Sequence, residues 1–193
     1  MIILGLTGGV AMGKSTVAKL FRAHGIPVHN ADEAVHRLYE GDAVAAVQAV
    51  FPQAISSGKV DRDKLRALLT SPEHWKKLES VIHPFVHQDR EDFLAKARAS
   101  GARLVVLDIP LLFETKLEAA CDAVAVVSAP AHVQKARALA RPGMSEEKFN
   151  SILARQMPDV EKRARAHYII ETGGSLQATG RQVDAIIKLY AGR

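Results

Sequence analysis

At 193 residues, 48% hydrophobic and 24% charged, the chain has the size and composition of one packed soluble domain with room for a small inserted subdomain. No apolar run approaches the ~18 residues needed to span a bilayer, and a single cysteine, Cys121, excludes an internal disulfide and fits a reducing cytosol. The formal charge of +5 suits a protein that handles polyanionic small molecules, or simply a soluble surface. The basic residues are scattered and aromatics are only 5%, so neither a stacking platform nor a basic stripe for nucleic acid is evident.

Ile2 to Leu6 reads as a short apolar strand, without the basic leader or cleavage site of a signal peptide. It runs into Gly8-Gly9-Val10-Ala11-Met12-Gly13-Lys14-Ser15, which satisfies G-x-x-x-x-G-K-[ST]. Ser15 to His24 follows as a helix with Val17, Leu20 and Phe21 on one face. Strand, glycine loop and helix N-terminus form the context in which backbone N–H groups wrap around phosphates. Gly13 allows close approach of the backbone. Lys14 supplies a mobile positive charge to the β- and γ-phosphates, and the Ser15 hydroxyl can complete a Mg²⁺ shell.

Ile26 to His29 is a second short strand, closely followed by Asp32. A carboxylate there can take the proton of an acceptor hydroxyl or hold Mg²⁺ through water. Equally, Asn30 or Asp32 can be a helix N-cap. From Ala31 to Ser100 the pattern is helical, with breaks at Gly41, Pro52, Ser56-Ser57-Gly58 and Ser71-Pro72, and with no strong strand. Pro84 interrupts the stretch Glu73 to Ala99. His83 beside it is either a ligand contact or a packed side chain. This insertion is the candidate substrate-binding part.

Leu104 to Ile109 is a buried strand, whose Asp108 reads either as a Walker B carboxylate or as a plain strand end. Ala123 to Val127 is another strand, followed by helices at Ala131 to Ala140 and Ser145 to Gln156 around Arg141-Pro142-Gly143. Arg137 and Arg141, four apart, are expected on one helix face, as a clamp on a phosphoryl group or as a solvated surface. Tyr168 to Ile170 is a last strand and Leu176 to Tyr190 a last helix. Apolar strands alternating with helices predict an α/β fold with a parallel sheet, its ligands at the carboxyl ends of the strands.

Several separate stretches together resemble the dephospho-coenzyme A kinases. They are Gly5-Leu6-Thr7-Gly8-Gly9, Gly13-Lys14-Ser15-Thr16, Asn30-Ala31-Asp32, Ile82-His83-Pro84, Asp108-Ile109-Pro110-Leu111-Leu112-Phe113-Glu114, Arg137, Arg141 and Glu161 to Tyr168. The resemblance covers essentially the whole chain. It implies a P-loop NTPase-type three-layer fold with a five-stranded parallel sheet: a core of 1–30, 101–136 and 156–193, a helical CoA-binding insertion at 31–100, and a lid at about 137–155. It implies phosphorylation by ATP of the ribose 3′-hydroxyl of dephospho-CoA, the last step of CoA biosynthesis, with Mg²⁺, in the cytoplasm. The partners it implies are these two small molecules, with no nucleic acid or membrane, and the chain is expected to be a monomer.

By the same resemblance Asp32, Lys14 and Arg141 are catalytic. Gly9 to Thr16 (including Val10, Ala11 and Met12) and Arg137 bind ATP, and Thr7, Asp32, His83, Pro110 and Leu111 bind the acceptor. Ser15 and Asp32, with Asp108 as a further candidate, hold the metal. The family usually reads Gly-Gly-Ile-Gly-Ser-Gly-Lys-Ser-Thr, so Ala11 and Met12 stand here for a glycine and a serine. A positive φ at residue 11 would cost alanine on the order of 1–2 kcal/mol, which predicts a negative φ there. Met12 is expected to offer the phosphates only its N–H, with its side chain turned away. Asn30 stands where relatives carry an aspartate, and Glu171-Thr172-Gly173-Gly174 where they often carry Asp-Asn.

Overall fold

The computed structural model describes residues 1–192. In chain order the elements begin with β1 (Ile2–Gly8), α1 (Lys14–Ala23), β2 (Val28–Asn30), α2 (Ala31–Glu40) and α3 (Val44–Val50). A two-residue hairpin follows, β3 (Ile55–Ser56) and β4 (Lys59–Val60), then α4 (Arg62–Leu68) and the 28-residue α5 (Pro72–Ala99). The remainder is β5 (Leu104–Asp108), β6 (Ala123–Ser128), α6 (Ala131–Leu139), α7 (Glu146–Leu153), α8 (Asp159–Arg165), β7 (Tyr168–Glu171) and α9 (Leu176–Ala191).

Five strands form one sheet in the order β2-β5-β1-β6-β7, as an α/β P-loop fold predicts. The β1–β5, β1–β6 and β6–β7 pairings are parallel. β5 and β6 are buried at every residue, which explains their unbroken apolar sequences: a parallel strand covered by helices has no wet face. Leu4, Leu6, Leu104 and Val127 meet Val17 and Phe21 of α1 and Val183 and Ile186 of α9 in the core. The register brings Leu6 opposite Asp108, Gly8 opposite Val127 and Ser128 opposite Glu171. The carboxyl ends of four adjacent strands therefore lie together, beside the loop that leaves β1.

The chain divides into two compact units. The sheet unit comprises Met1–His29 and the chain from Ala97 onward. The helical unit is Asn30–Lys96, with a core of its own that includes Leu38, Val47, Phe51, Leu65 and Leu78. The hairpin of β3 and β4 departs from the expectation of an all-helical insertion. Each strand is only two residues, too short to show alternation in sequence. α5 runs unbroken through Pro84. α8 also escaped the sequence reading: its face is charged, and its one buried residue is Lys162.

Candidate functional site

The phosphate loop leaves β1 at Gly8 and enters α1 at Lys14. Gly8 lies so close to β6 that a Cβ there would stand 2.6 Å from the Val127 carbonyl oxygen, so only glycine allows the loop to leave the sheet here. Gly13 is the N-cap of α1, with φ 94°; Thr16 and Val17 both donate to its carbonyl. No side chain caps this helix start. Its amides and partial positive charge are presented with the Ser15 and Thr16 hydroxyls, both residues being exposed.

Ala11 has φ 60°, which overturns the negative φ expected from its side chain. Packing offsets the strain. In this conformation the Ala11 methyl is buried against Ala138 of α6 and Phe149 of α7, with Val10, Met144 and Leu153 around them. Met12 is 3% exposed and turns into the main core, where its thioether accepts the Ala129 N–H at 3.1 Å. Its carbonyl accepts the Thr172 hydroxyl at 2.6 Å. Val10 is held at both backbone groups: its N–H donates to Gln156 Oε1 at 3.0 Å, and its carbonyl accepts from Gln134 Nε2 at 2.9 Å. The Val10 amide is thus engaged by a side chain rather than standing open to a phosphate.

Lys14 forms an ion pair with Asp108, whose carboxylate is almost fully buried at the end of β5. Asp108, read as either a metal carboxylate or a plain strand end, is therefore the partner of the Lys14 ammonium group in this structure. Thr7 is wholly buried, and its hydroxyl donates to the Pro110 carbonyl at 3.0 Å, tying the end of β1 to the turn after β5. Leu111 in that turn is 39% exposed.

Arg137 donates to the Thr172 carbonyl at 2.7 Å and to its hydroxyl at 3.2 Å, fixing the loop after β7 against α6. Arg141 lies beyond the end of α6, which stops at Leu139; it is exposed, and its N–H bonds to the Ala138 carbonyl. Arg137 is thus in α6 and Arg141 in the tightened turn after it, so their spacing of four spans the end of the helix and not a continuous helix face.

Behind the loop, a cavity of about 380 Å³ is lined by residues that include Gly9, Met12, Gln156, Asp159 and Lys162. Lys162 is completely buried and pairs with Glu114 at 2.8 Å; Glu114 also accepts the Met157 N–H at 2.8 Å. Burial pushes the Glu114 carboxyl up, but the Lys162 ammonium and the Met157 amide outweigh it and hold the group below its ordinary value.

Asp32 and His83 belong to the helical unit, and both are exposed at its surface. Asn30 is the N-cap of α2: its side-chain oxygen accepts the Glu33 N–H at 2.9 Å. This decides between the two capping candidates and leaves the Asp32 carboxylate in the first turn, unspent on the cap.

The profile of the Dephospho-CoA kinase family matches residues 2–178. The chain belongs to the dephospho-CoA kinase family. A dephospho-CoA kinase from Mesorhizobium japonicum is 54% identical over 194 residues, covering 100% of this chain and 98% of the relative. That from Rhizobium meliloti is 51% identical, covering 97% of each. Among solved structures, TT1252 from Thermus thermophilus aligns with a TM-score of 0.85 at 38% identity, over 97% of both chains. The Campylobacter jejuni dephospho-CoA kinase shares the fold at a TM-score of 0.67 and 21% identity over 97% of this chain and 96% of that one.

Within this family of kinases, Lys14, Ser15, Thr16 and Asp108 are the sequence-predicted residues gathered at the loop. Gln134, Gln156 and Thr172 also hold that loop, and the sequence reading missed them as holding residues. Thr172 lay in a segment already marked as departing from the family. The two glutamines carried no signal, because their partner is backbone.

Proposed function

We propose that the protein transfers the γ-phosphoryl group of ATP to the 3′-hydroxyl of dephospho-CoA, giving CoA and ADP. The observation that carries this reading is the phosphate loop: Lys14 is held by a buried Asp108, beside an uncapped helix N-terminus that presents Ser15 and Thr16. Phosphoryl transfer needs positioning and charge stabilisation more than covalent chemistry, and this arrangement supplies both. The acceptor oxygen attacks the γ-phosphorus as the bond to the ADP oxygen breaks. Asp32 orients the hydroxyl and takes its proton. Lys14 and Arg141 carry negative charge on the phosphoryl oxygens, and Arg137, with the loop after β7, borders the nucleotide. His83, Pro110 and Leu111 contact the acceptor.

Ser15 and Asp108 beside the loop, and Asp32, offer the hard oxygen donors that suit Mg²⁺ arriving with the nucleotide. Held there, Mg²⁺ would neutralise part of the negative charge on the phosphates. No helix among the described residues is long and apolar enough to cross a membrane, and a monomer working in the cytoplasm accords with the reading.

The test is acceptor preference with Asp32→Asn alongside. The wild type is expected to turn over dephospho-CoA faster than AMP or a sugar. Asp32→Asn is expected to keep its fold and ATP affinity while losing roughly 10²-fold or more in turnover. Equal turnover of AMP would remove the acceptor assignment, and near-normal turnover in the variant would remove Asp32 from the reaction.

A further inference from the structure

Two glutamines from separate stretches of the chain reach the same residue of the phosphate loop. Gln134 lies on α6, 6% exposed, and donates to the Val10 carbonyl. Gln156 follows α7 and accepts the Val10 N–H. They use opposite ends of the same functional group, which a primary amide alone among side chains offers at this length. The chain between them, which includes 137–155, leaves from Val10 and returns to it. Its apolar side also meets the loop, through Ala138 and Phe149 on the Ala11 methyl.

Gly9 makes the convergence possible. A Cβ there would lie 3.2 Å from Gln134 Nε2, which would have to give way, and 3.5 Å from Gln156 Oε1, an ordinary contact. The left-handed Ala11 next to Val10 is the kind of strained residue that persists only where its surroundings over-determine it.

We infer that Gln134 and Gln156 are positioning residues for phosphoryl transfer, a pair of anchors that tie both ends of the 137–155 segment to Val10 and hold the loop amides aimed at the phosphates. This rests on the reading of 137–155 as a lid, and it adds to that reading where the lid pivots. Neither side chain touches substrate in this role. Each acts through the Val10 backbone, whose placement sets the direction of the neighbouring amides. Catalysis by preorganised dipoles loses efficiency when the dipoles are free to reorient.

The test is a matched pair of substitutions. Gln156→Glu keeps an acceptor facing the Val10 N–H, whereas Gln134→Glu sets a carboxylate against the Val10 carbonyl. Both add one negative charge beside the same residue, so the difference reads chiefly whether the contact with Val10 is kept or replaced by repulsion. Nucleotide affinity is measured by titration without acceptor, together with kcat and both KM values, acceptor-free ATP hydrolysis and thermal unfolding. Gln134→Glu is expected to bind ATP about tenfold more weakly than Gln156→Glu, with KM for dephospho-CoA within about twofold of wild type.

Gln156→Leu is expected to fall with Gln134→Glu, and its ratio of acceptor-free hydrolysis to transfer is expected to rise. Equal ATP affinity in the two glutamate variants would overturn the proposal. So would lowered thermal stability with unchanged kinetics, which marks a merely structural role. A difference in affinity of about tenfold without increased hydrolysis would support the anchors while removing the lid reading. Because affinity is read without acceptor, the test stands even if dephospho-CoA proves not to be the substrate.

Discussion

Replacing Ala11 by glycine separates backbone strain from packing at the apex of the loop. At φ 60° the alanine side chain costs on the order of 1–2 kcal/mol, all of which glycine would recover. Two terms oppose the gain. Glycine frees the unfolded chain, at a cost of about 0.4–1 kcal/mol. The methyl, on a residue only 6% exposed, is worth up to about 0.8 kcal/mol of burial against Ala138 and Phe149. The three nearly cancel, so Ala11→Gly is expected to change stability by less than about 1 kcal/mol. Ala11→Val meets no such cancellation. A β-branched residue is a genuine outlier at this φ, and its extra methyls must enter a filled cluster at about 1–3 kcal/mol for overpacking alone. Total destabilisation above about 2 kcal/mol is expected. The assay is urea unfolding of wild type and both variants without nucleotide, with m checked for constancy. A loss above about 2 kcal/mol in Ala11→Gly, or a valine within about 0.5 kcal/mol of wild type, would refute the account of strain offset by packing.

Asn30→Ala removes the cap of α2 and is expected to cost about 1 kcal/mol in urea unfolding, while Asn30→Asp, which keeps an acceptor, restores most of it. Lys162→Met leaves Glu114 in a largely buried place without its cation and is expected to destabilise by about 3 kcal/mol, at the low end for a broken buried pair because Glu114 keeps some water contact. The pH dependence checks the same pair. Because the folded Glu114 titrates below its ordinary value, its stabilising contribution is present above the unfolded carboxylate pKa and is lost as pH falls through the lower folded one. In Lys162→Met burial acts with less opposition, so the acid limb of the stability profile is expected at higher pH; an unchanged limb would detach Glu114 from acid unfolding.

The parts legible in sequence were those written locally. The five sheet strands showed as apolar runs, and the phosphate loop as a motif between a strand and a helix. What escaped is written across distance. The positive φ of Ala11 is offset by burial of its methyl against Ala138 and Phe149, which are far from it in the chain. Nothing near Lys162 in sequence shows that Glu114 receives it in the interior. Gln134, in α6, and Gln156, just after α7, are ordinary polar residues until the fold brings them to one residue of the loop. For the arginine pair the limit was local: a spacing of four implies a shared face only while the helix lasts, and α6 ends at Leu139, before Arg141.

The departures from the family pattern also bear on how such loops change. Ala11 and Met12 replace residues whose usual merits are freedom at positive φ and small size. Here each is given something larger to hold. The Ala11 methyl joins the cluster between α6 and α7, and the Met12 thioether, where relatives carry a hydroxyl, accepts the Ala129 N–H. Thr172 closes the third side by bonding the Met12 carbonyl while Arg137 grips Thr172 itself. A loop pinned at residues 10, 11 and 12 by α6, by the turn after α7 and by the loop after β7 has traded glycine flexibility for external support. Its substitutions should therefore be coupled. Combining Ala11→Gly with Met12→Ser, without altering their partners, leaves a void at Phe149 and another beside Ala129. The double variant, although each change moves toward the commoner family residue, is thus expected to be less stable than wild type in the same urea assay. A double variant as stable as wild type would show that the packing and hydrogen bond lost at residues 11 and 12 are worth no more than the strain that glycine relieves.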